Sequence, residues 1–155
     1  MQTGTRGFLV LVAIGLLLAR QLRPALALLV AGSTAWIGAR LIKEWFERPR
    51  PSAQELQRPL RELASSYGFP SSHAAVSTAV VVVLVAVVAN RRPAWVRPAI
   101  MAAAAVAVMT ALGRVYVGAH WTLDTIGGTI LGALCGVVTV AAILRRARPN
   151  RASRR

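Results

Sequence analysis

Three of the chain's few polar side chains lie together in the stretch 114–124, between two apolar runs. They are Arg114, His120 and Asp124, and Asp124 is the only acid after Glu62. If His120 opens the helix that follows, Asp124 lies four positions on along the same face and can reach the imidazole ring. A carboxylate on one ring nitrogen fixes the tautomer and leaves the other nitrogen as a nucleophile or base. The guanidinium of Arg114 can bind an anion through two hydrogen bonds beside the free ring nitrogen of His120. The stretch therefore predicts a histidine-based phosphoryl-transfer site.

A second polar cluster is the stretch Pro70-Ser71-Ser72-His73. A proline followed by serines favours the start of a helix with a serine as its cap. The backbone N–H groups and positive dipole of such an end suit an anion, and the Ser71 hydroxyl adds a donor. His73 can give a proton to a leaving oxygen. Capping alone would also explain the serines, and for Ser72 the two interpretations are evenly matched.

Lys43 and Arg50 form the third cluster, and each taken singly suggests a cation that snorkels to the membrane interface. Together with Arg114 they supply the positive charge that a transferring phosphoryl group needs, since its barrier falls mainly through positioning and charge neutralisation. We therefore predict that both bind phosphate. We assign the remaining cations nearby to a solvated loop in which glutamates balance their charge. They are Arg48, Arg58 and Arg61, with Glu44, Glu47, Glu55 and Glu62.

The elements that must position these clusters are long apolar blocks. The chain has 155 residues and is 55% hydrophobic, and its blocks are too long for soluble amphipathic helices. We predict a single membrane-embedded domain, residues 1–155, with an all-α fold. It is an integral membrane bundle of about five transmembrane helices, the first one short, with the active site at the outer helix ends. The blocks are Gly7–Ala19, Pro24–Ile42, Ala74–Ala89, Ala94–Leu112 and Trp121–Leu144.

Charge predicts the orientation of the bundle. If the blocks alternate across the bilayer, one side receives eleven cations and no acid, whereas the other side nets +3. The positive-inside rule then makes residues 145–155 a basic cytoplasmic tail of a multi-pass protein of the cell membrane, with the site facing the periplasm or exterior. The net charge of +14 does not indicate nucleic acid, because the basic residues lie between and after the apolar blocks. The single Cys135 excludes an intrachain disulfide.

A stripe of small residues runs along the last block, where Gly128, Gly132 and Gly136 recur every four positions. Such a stripe allows close contact between membrane helices. Packing within the bundle is the preferred interpretation, and a homodimer seam through the same glycines is the alternative.

The three clusters together make the sequence resemble the type 2 phosphatidic acid phosphatase family of membrane proteins. The signatures of that family are K-x6-R-P, P-S-G-H and S-R-x5-H-x3-D, and they match Lys43 to Pro51, Pro70 to His73 and Gly113 to Asp124 in order and spacing. Two positions depart, because Ser72 replaces the glycine and Gly113 replaces the serine before the arginine.

The resemblance implies a metal-independent and cofactor-independent hydrolysis of a membrane lipid phosphate or pyrophosphate. In it His120 forms a phosphohistidine, Asp124 orients His120, and His73 protonates the leaving oxygen. The phosphate oxygens are bound by Lys43, Arg50, Ser71, Ser72 and Arg114. Polyprenyl and glycerolipid phosphates are both open as substrates. Two alternatives remain: a lipid phosphotransferase, and a non-catalytic membrane helper that keeps the phosphate site.

Overall fold

The computed structural model describes residues 20–57 and 67–144. Within these ranges all regular structure is helical. The helices are α1 (Leu22–Phe46), the short α2 (Ala53–Leu56), α3 (Ser72–Arg91), α4 (Val96–Tyr116) and α5 (Thr122–Thr139), with a 3₁₀ turn at Pro93–Trp95 and a π-helical end at Val140–Leu144.

Four helical segments of the described chain are long and apolar enough to cross a membrane: Leu22–Phe46, Ser72–Arg91, Pro93–Tyr116 and Thr122–Leu144. They hold 25, 20, 24 and 23 residues, which at ~1.5 Å per residue gives about 30–38 Å, the thickness of a hydrocarbon core or more. The predicted all-helical membrane bundle is therefore confirmed for the last four apolar blocks. The block Gly7–Ala19 and the tail 145–155 lie outside the described residues.

α1 and α3 meet along a seam of small side chains. Ala27, Ala31, Ala35 and Ala39 recur every four residues on one face of α1, and all four are fully buried. They belong to one apolar cluster with residues of α3 that include Ala79. Small residues let membrane helices approach closely and increase the dispersion attraction between them. This attraction matters because the hydrophobic effect does not drive helix association inside a bilayer.

α3 and α5 pack closest of all, at the glycine stripe. A Cβ on Gly128 would overlap the carbonyl oxygen of Ser71, and one on Gly132 would overlap that of Ala75. Gly136 faces Val82 and the carbonyl of Ala79 in the same way. Packing within the bundle is thus what the stripe does. The alternative of a homodimer seam through these glycines is wrong, because α3 already covers that face.

α4 differs from its neighbours because none of its residues is buried. It packs mainly against α3, and large side chains such as Met101 and Met109 point outward with exposures of 74% and 68%. Apolar residues on this face suit contact with lipid chains. The last turn of α4 carries Arg114.

Candidate active site

The N-terminal ends of α3 and α5 meet at one end of the bundle. The backbone N–H of Ser71, the N-cap of α3, donates to the carbonyl oxygen of Asp124 in the first turn of α5 at 2.7 Å. The missing side chain at Gly128 allows this approach. Two helix ends with positive dipoles therefore face the same space, together with the end of α1 and the end of α4.

His120 lies just before α5, in the loop that follows α4. The helix begins at Thr122 with Trp121 as its N-cap, so the expectation that His120 opens the helix is wrong. The loop turns at Gly118, whose φ of 74° is the left-handed region that glycine adopts without strain. The N–H of Ala119 donates to the carbonyl of Arg114 at 3.1 Å. This turn carries the His120 ring inward, where the residue is only 3% exposed.

Asp124 is fully buried and its two carboxylate oxygens face different partners. Oδ2 accepts the backbone N–H of Trp121 at 2.9 Å and lies 3.5 Å from His120 Nδ1. The second distance is longer than that of a well-formed hydrogen bond. Oδ1 lies 3.1 Å from Nη1 of Arg48. The predicted pairing of histidine and carboxylate is present, although a loop rather than a helical face produces it.

Arg50 meets the other side of the imidazole. Its Nη1 donates to the carbonyl oxygen of Ala119 and lies 3.0 Å from Nε2 of His120. A guanidinium can only donate, so Nε2 is the acceptor and the ring proton is on Nδ1, facing Asp124. This is the tautomer in which Nε2 carries a lone pair for attack on an electrophile.

The surroundings of His120 also keep the ring neutral. Burial lowers the pKa of His120, and the nearby charges of Arg50, Lys43 and Arg114 lower it further. The contact with Asp124 opposes these effects but does not overcome them. A neutral imidazole is the nucleophilic form, so the site favours the reactive protonation state near neutral pH.

Lys43 is buried at the end of α1, with 5% of the residue exposed. Its Nζ donates to the carbonyl oxygens of Tyr67 and Gly68 at 2.8 and 2.9 Å. An ammonium group has three donors, so one is left after these two bonds. Lys43 therefore attaches the segment before α3 to α1, and its contact with phosphate stays a prediction.

The second cluster caps α3 as its sequence predicts. Ser71 is the N-cap, its hydroxyl accepts from the N–H of Ala74 at a long 3.5 Å, and the residue is fully buried. Ser72 begins the helix and His73 follows in its first turn, both half-buried. The structural role of Ser71 is thus established, whereas phosphate binding by Ser71 and Ser72 and proton transfer by His73 stay predictions. His73 stands two residues from the backbone bond that joins α3 to Asp124.

The prediction that Arg48 lies in a solvated loop and pairs with glutamates is wrong. Arg48 forms an ion pair with Asp124, which is 76 residues away along the chain. One of those glutamates, Glu55, instead accepts from the backbone N–H and hydroxyl of Ser52 at 2.8 and 2.7 Å, which lowers the pKa of its carboxyl group. The only available signal was that Asp124 is the sole acid after Glu62.

The structure thus brings His120 into contact with Arg50 and Asp124 into contact with Arg48. The stretch Pro70 to His73 lies beside them, because Ser71 is bonded to the backbone of Asp124. Within residues 20–57 and 67–144, there is no group of three or more His, Cys, Asp or Glu side chains that could hold a metal ion. What gathers instead is an imidazole with a carboxylate on one side and cations on the other. Such a set can hold a phosphate and attack its phosphorus atom.

Comparison with known proteins places this geometry in a family. The model of the PAP2 superfamily matches residues 22–148, and the chain belongs to that superfamily. A crystal structure of a transmembrane PAP2-type phosphatidylglycerolphosphate phosphatase from Bacillus subtilis superimposes with a TM-score of 0.79 at 26% identity. The match covers 97% of this chain and 74% of that one.

Two proteins of known name are also similar in sequence. Phosphatidylglycerophosphatase B of Bacillus subtilis (strain 168) is 30% identical over 129 residues, which is 81% of this chain and 61% of that protein. Human sphingosine-1-phosphate phosphatase 2 is 30% identical over 103 residues, which is 66% of this chain and 26% of that protein. The chain therefore spans about three fifths of the bacterial relative and about a quarter of the human one.

Proposed function

We propose that this chain hydrolyses a membrane lipid phosphate through a phosphohistidine formed on His120. The observation that carries the proposal is the placement of the imidazole. Its Nδ1 faces Asp124 and its Nε2 faces the guanidinium of Arg50, inside a buried pocket of cations. Both the tautomer and the lowered pKa of His120 favour a nucleophilic Nε2. Membership of the PAP2 superfamily and the names of its relatives support the same reaction class.

The first step transfers the phosphoryl group to the protein. A bond forms between Nε2 of His120 and phosphorus while the bond from phosphorus to the lipid oxygen breaks. That oxygen takes its proton from His73 in the first turn of α3. Because Arg50 lies against Nε2, its guanidinium must move onto a phosphate oxygen before the attack, where it offsets the charge of the transition state.

The second step releases phosphate. Water attacks phosphorus as the bond to Nε2 breaks, and His73 takes the proton that the water loses, which restores both residues. Asp124 holds the Nδ1–H side of the ring throughout, and Lys43 and Arg114 add positive charge around the phosphate. We propose a metal-independent reaction, because Arg50, Lys43 and Arg114 near His120 can supply the positive charge that these steps need.

The substrate class follows from the location of the site and from the relatives. The site residues lie at the ends of helices that can span a membrane, so the proposed substrate has a phosphate at headgroup level and a chain in the bilayer. The two relatives are named for a glycerolipid phosphate and a sphingoid phosphate. We propose a lipid phosphate monoester as the first substrate to test, with polyprenyl pyrophosphate as the second.

Phosphate release from purified protein in mixed micelles tests the proposal. We expect activity that resists EDTA, is inhibited by vanadate and is lost in His120→Ala. Thr110→Ala is the matched control, since its hydroxyl bonds only within α4, to the carbonyl of Val106. Release that survives intact in His120→Ala would end the phosphohistidine proposal. Phosphate binding without turnover in the wild type would support the helper alternative instead.

The role of His73 has a separate test, because a leaving group that needs no proton should bypass it. His73→Ala should lose much more activity on a lipid phosphate than on an aryl phosphate, whose phenolate leaves unprotonated. His120→Ala should lose both activities alike. Equal losses for the two substrates in His73→Ala would remove it as the acid.

We also propose that the site faces the periplasm or exterior of the cell membrane. The support is the excess of arginine at the opposite helix ends and in the tail 145–155. In a Cys135→Ala background, a membrane-impermeant thiol reagent should label Gln54→Cys beside the site and should spare Asn90→Cys at the other end of α3. The reverse pattern would invert the orientation.

A further inference from the structure

The buried carboxylate of Asp124 has a cationic neighbour that the reaction scheme does not use. Arg48 Nη1 lies 3.1 Å from Oδ1, while Oδ2 is shared between the Trp121 N–H and the His120 ring. The carboxylate is therefore held from both oxygens. Asp124 is fully buried, and the Arg48 side chain is 35% exposed.

The backbone around Arg48 fixes where its side chain can reach. The N–H of Gly68 donates to the Arg48 carbonyl at 2.7 Å. A Cβ at Gly68 would stand 2.9 Å from Asp124 Oδ2 and 3.4 Å from that same carbonyl, so only glycine fits without movement. Lys43 binds the carbonyl of Gly68 from the other side. Gly68, before α3, thus contacts both the backbone of Arg48 after α1 and the carboxylate of Asp124.

A positive partner stabilises the ionised form of a fully buried carboxylate. His120 cannot supply one, because it is neutral in the form that attacks phosphorus. Arg50 is directed at Ala119 O and Nε2 of His120. Arg48 is in direct contact with the other carboxylate oxygen of Asp124, at 3.1 Å from Oδ1.

We propose that Arg48 is a positioning residue for the proposed reaction, on which this inference rests. It keeps Asp124 charged and oriented, so that Oδ2 faces Nδ1 of His120 and Nε2 stays unprotonated toward the phosphate. Arg48 acts through Asp124 and does not contact the phosphorus or the leaving oxygen.

A double-mutant cycle tests this role in the kinetics. Arg48→Gln should lower kcat roughly tenfold or more with KM changed less than about twofold, because the interaction it loses orients the nucleophile. Arg48→Lys should recover part of the loss. In an Asp124→Asn background, Arg48→Gln should cost less than about twofold further, since residues that act as one unit are not additive. Arg40→Gln is the control, because its guanidinium lies over the Trp36 ring at 5.8 Å, away from the site.

A second measurement needs no activity. The chain has two histidines, so ¹⁵N-histidine spectra can resolve the tautomer of each in detergent. We expect the Nδ1–H form in all three proteins, because Arg50 stays against Nε2. The Nδ1 signal of His120 should be the same in the wild type and in Arg40→Gln, and it should shift in Arg48→Gln, where Asp124 is no longer held against that nitrogen. Thermal unfolding of each variant shows whether the compared proteins are folded.

The outcomes separate the two proposals. A rise in KM alone in Arg48→Gln would make Arg48 a phosphate ligand, and additive losses in the cycle would make it independent of Asp124. Either result, or an unchanged Nδ1 signal of His120 in folded Arg48→Gln, overturns the positioning role. A wild type inactive on every lipid phosphate would end the proposed function, while the histidine spectra would still decide the role of Arg48.

Discussion

Basic side chains are exposed at one end of the helix bundle and buried or half-buried at the other. At the end of α3 and the start of α4, Arg91, Arg92 and Arg97 are all exposed. At the other end, Lys43 is almost fully buried and Arg50 is half-buried, and both donate to backbone carbonyl oxygens. Exposed arginines can contact water and lipid headgroups, whereas cations buried close together repel one another.

The difference shows what a cluster of buried cations requires. Asp124 and the carbonyls of Ala119, Tyr67 and Gly68 compensate part of the charge at the site end. More positive charge than one carboxylate can neutralise still remains among Lys43, Arg48, Arg50 and Arg114. The proposed phosphate dianion would offset most of that excess. The same excess of positive charge supports the proposed binding of a phosphate at this site.

The largest expected contrast between the two ends is in catalysis. Arg50→Ala should lower kcat/KM by about 10²–10³-fold, because one donor that offsets the transition-state charge is lost. Arg91→Ala removes the same charge from the opposite end and should change it less than about twofold. Phosphate release by both purified variants checks this. Similar losses in the two variants would show that net charge, and not the position of Arg50, controls the activity.

An intermediate effect is expected in the seam that joins the two ends. Gly132→Val should destabilise the protein by roughly 1–3 kcal/mol, because its Cβ would overlap the Ala75 carbonyl of α3. Gly113→Ala is the matched control, since a Cβ there meets nothing within 4 Å. It should be neutral or stabilising by up to ~1 kcal/mol, as expected for a helical glycine. Denaturation in detergent measures both, and equal stability of the two variants would contradict the close approach of α3 and α5.

The smallest expected effect is a shift in pH dependence. The pKa of His120 lies below its usual value, so the acidic limb of kcat/KM should lie below pH ~6.5. The charges facing the ring are Asp124, which raises the pKa, and Arg50, Lys43 and Arg114, which lower it. Arg50→Gln removes one lowering charge and should move the limb upward. Arg91→Gln should leave the limb in place, and an unmoved limb in both variants would mean that another group sets it.

Much of this arrangement could be predicted from the sequence because its causes are local. Apolar blocks of spanning length predict the membrane helices, and the proline–serine stretch predicts the Ser71 cap of α3. The spacing of His120 and Asp124 predicts their pairing, although the structure makes it with a loop at Gly118 and Trp121 instead of a helical face. The prediction that His120 pairs with Asp124 is right because two residues four positions apart are close in space in a loop as well as in a helix.

The sequence by itself thus determined the helices, the polar clusters at their ends and the pairing of His120 with Asp124, since each depends on residues that are close along the chain. Only the tertiary structure decided that Arg48 binds Asp124, that Lys43 holds the segment before α3, and that the glycine stripe faces α3. The physical reason is that a charge or a small residue specifies what it needs but not which distant partner supplies it. That choice follows from how closely the helices can pack, and the glycines and alanines of α1, α3 and α5 set that distance.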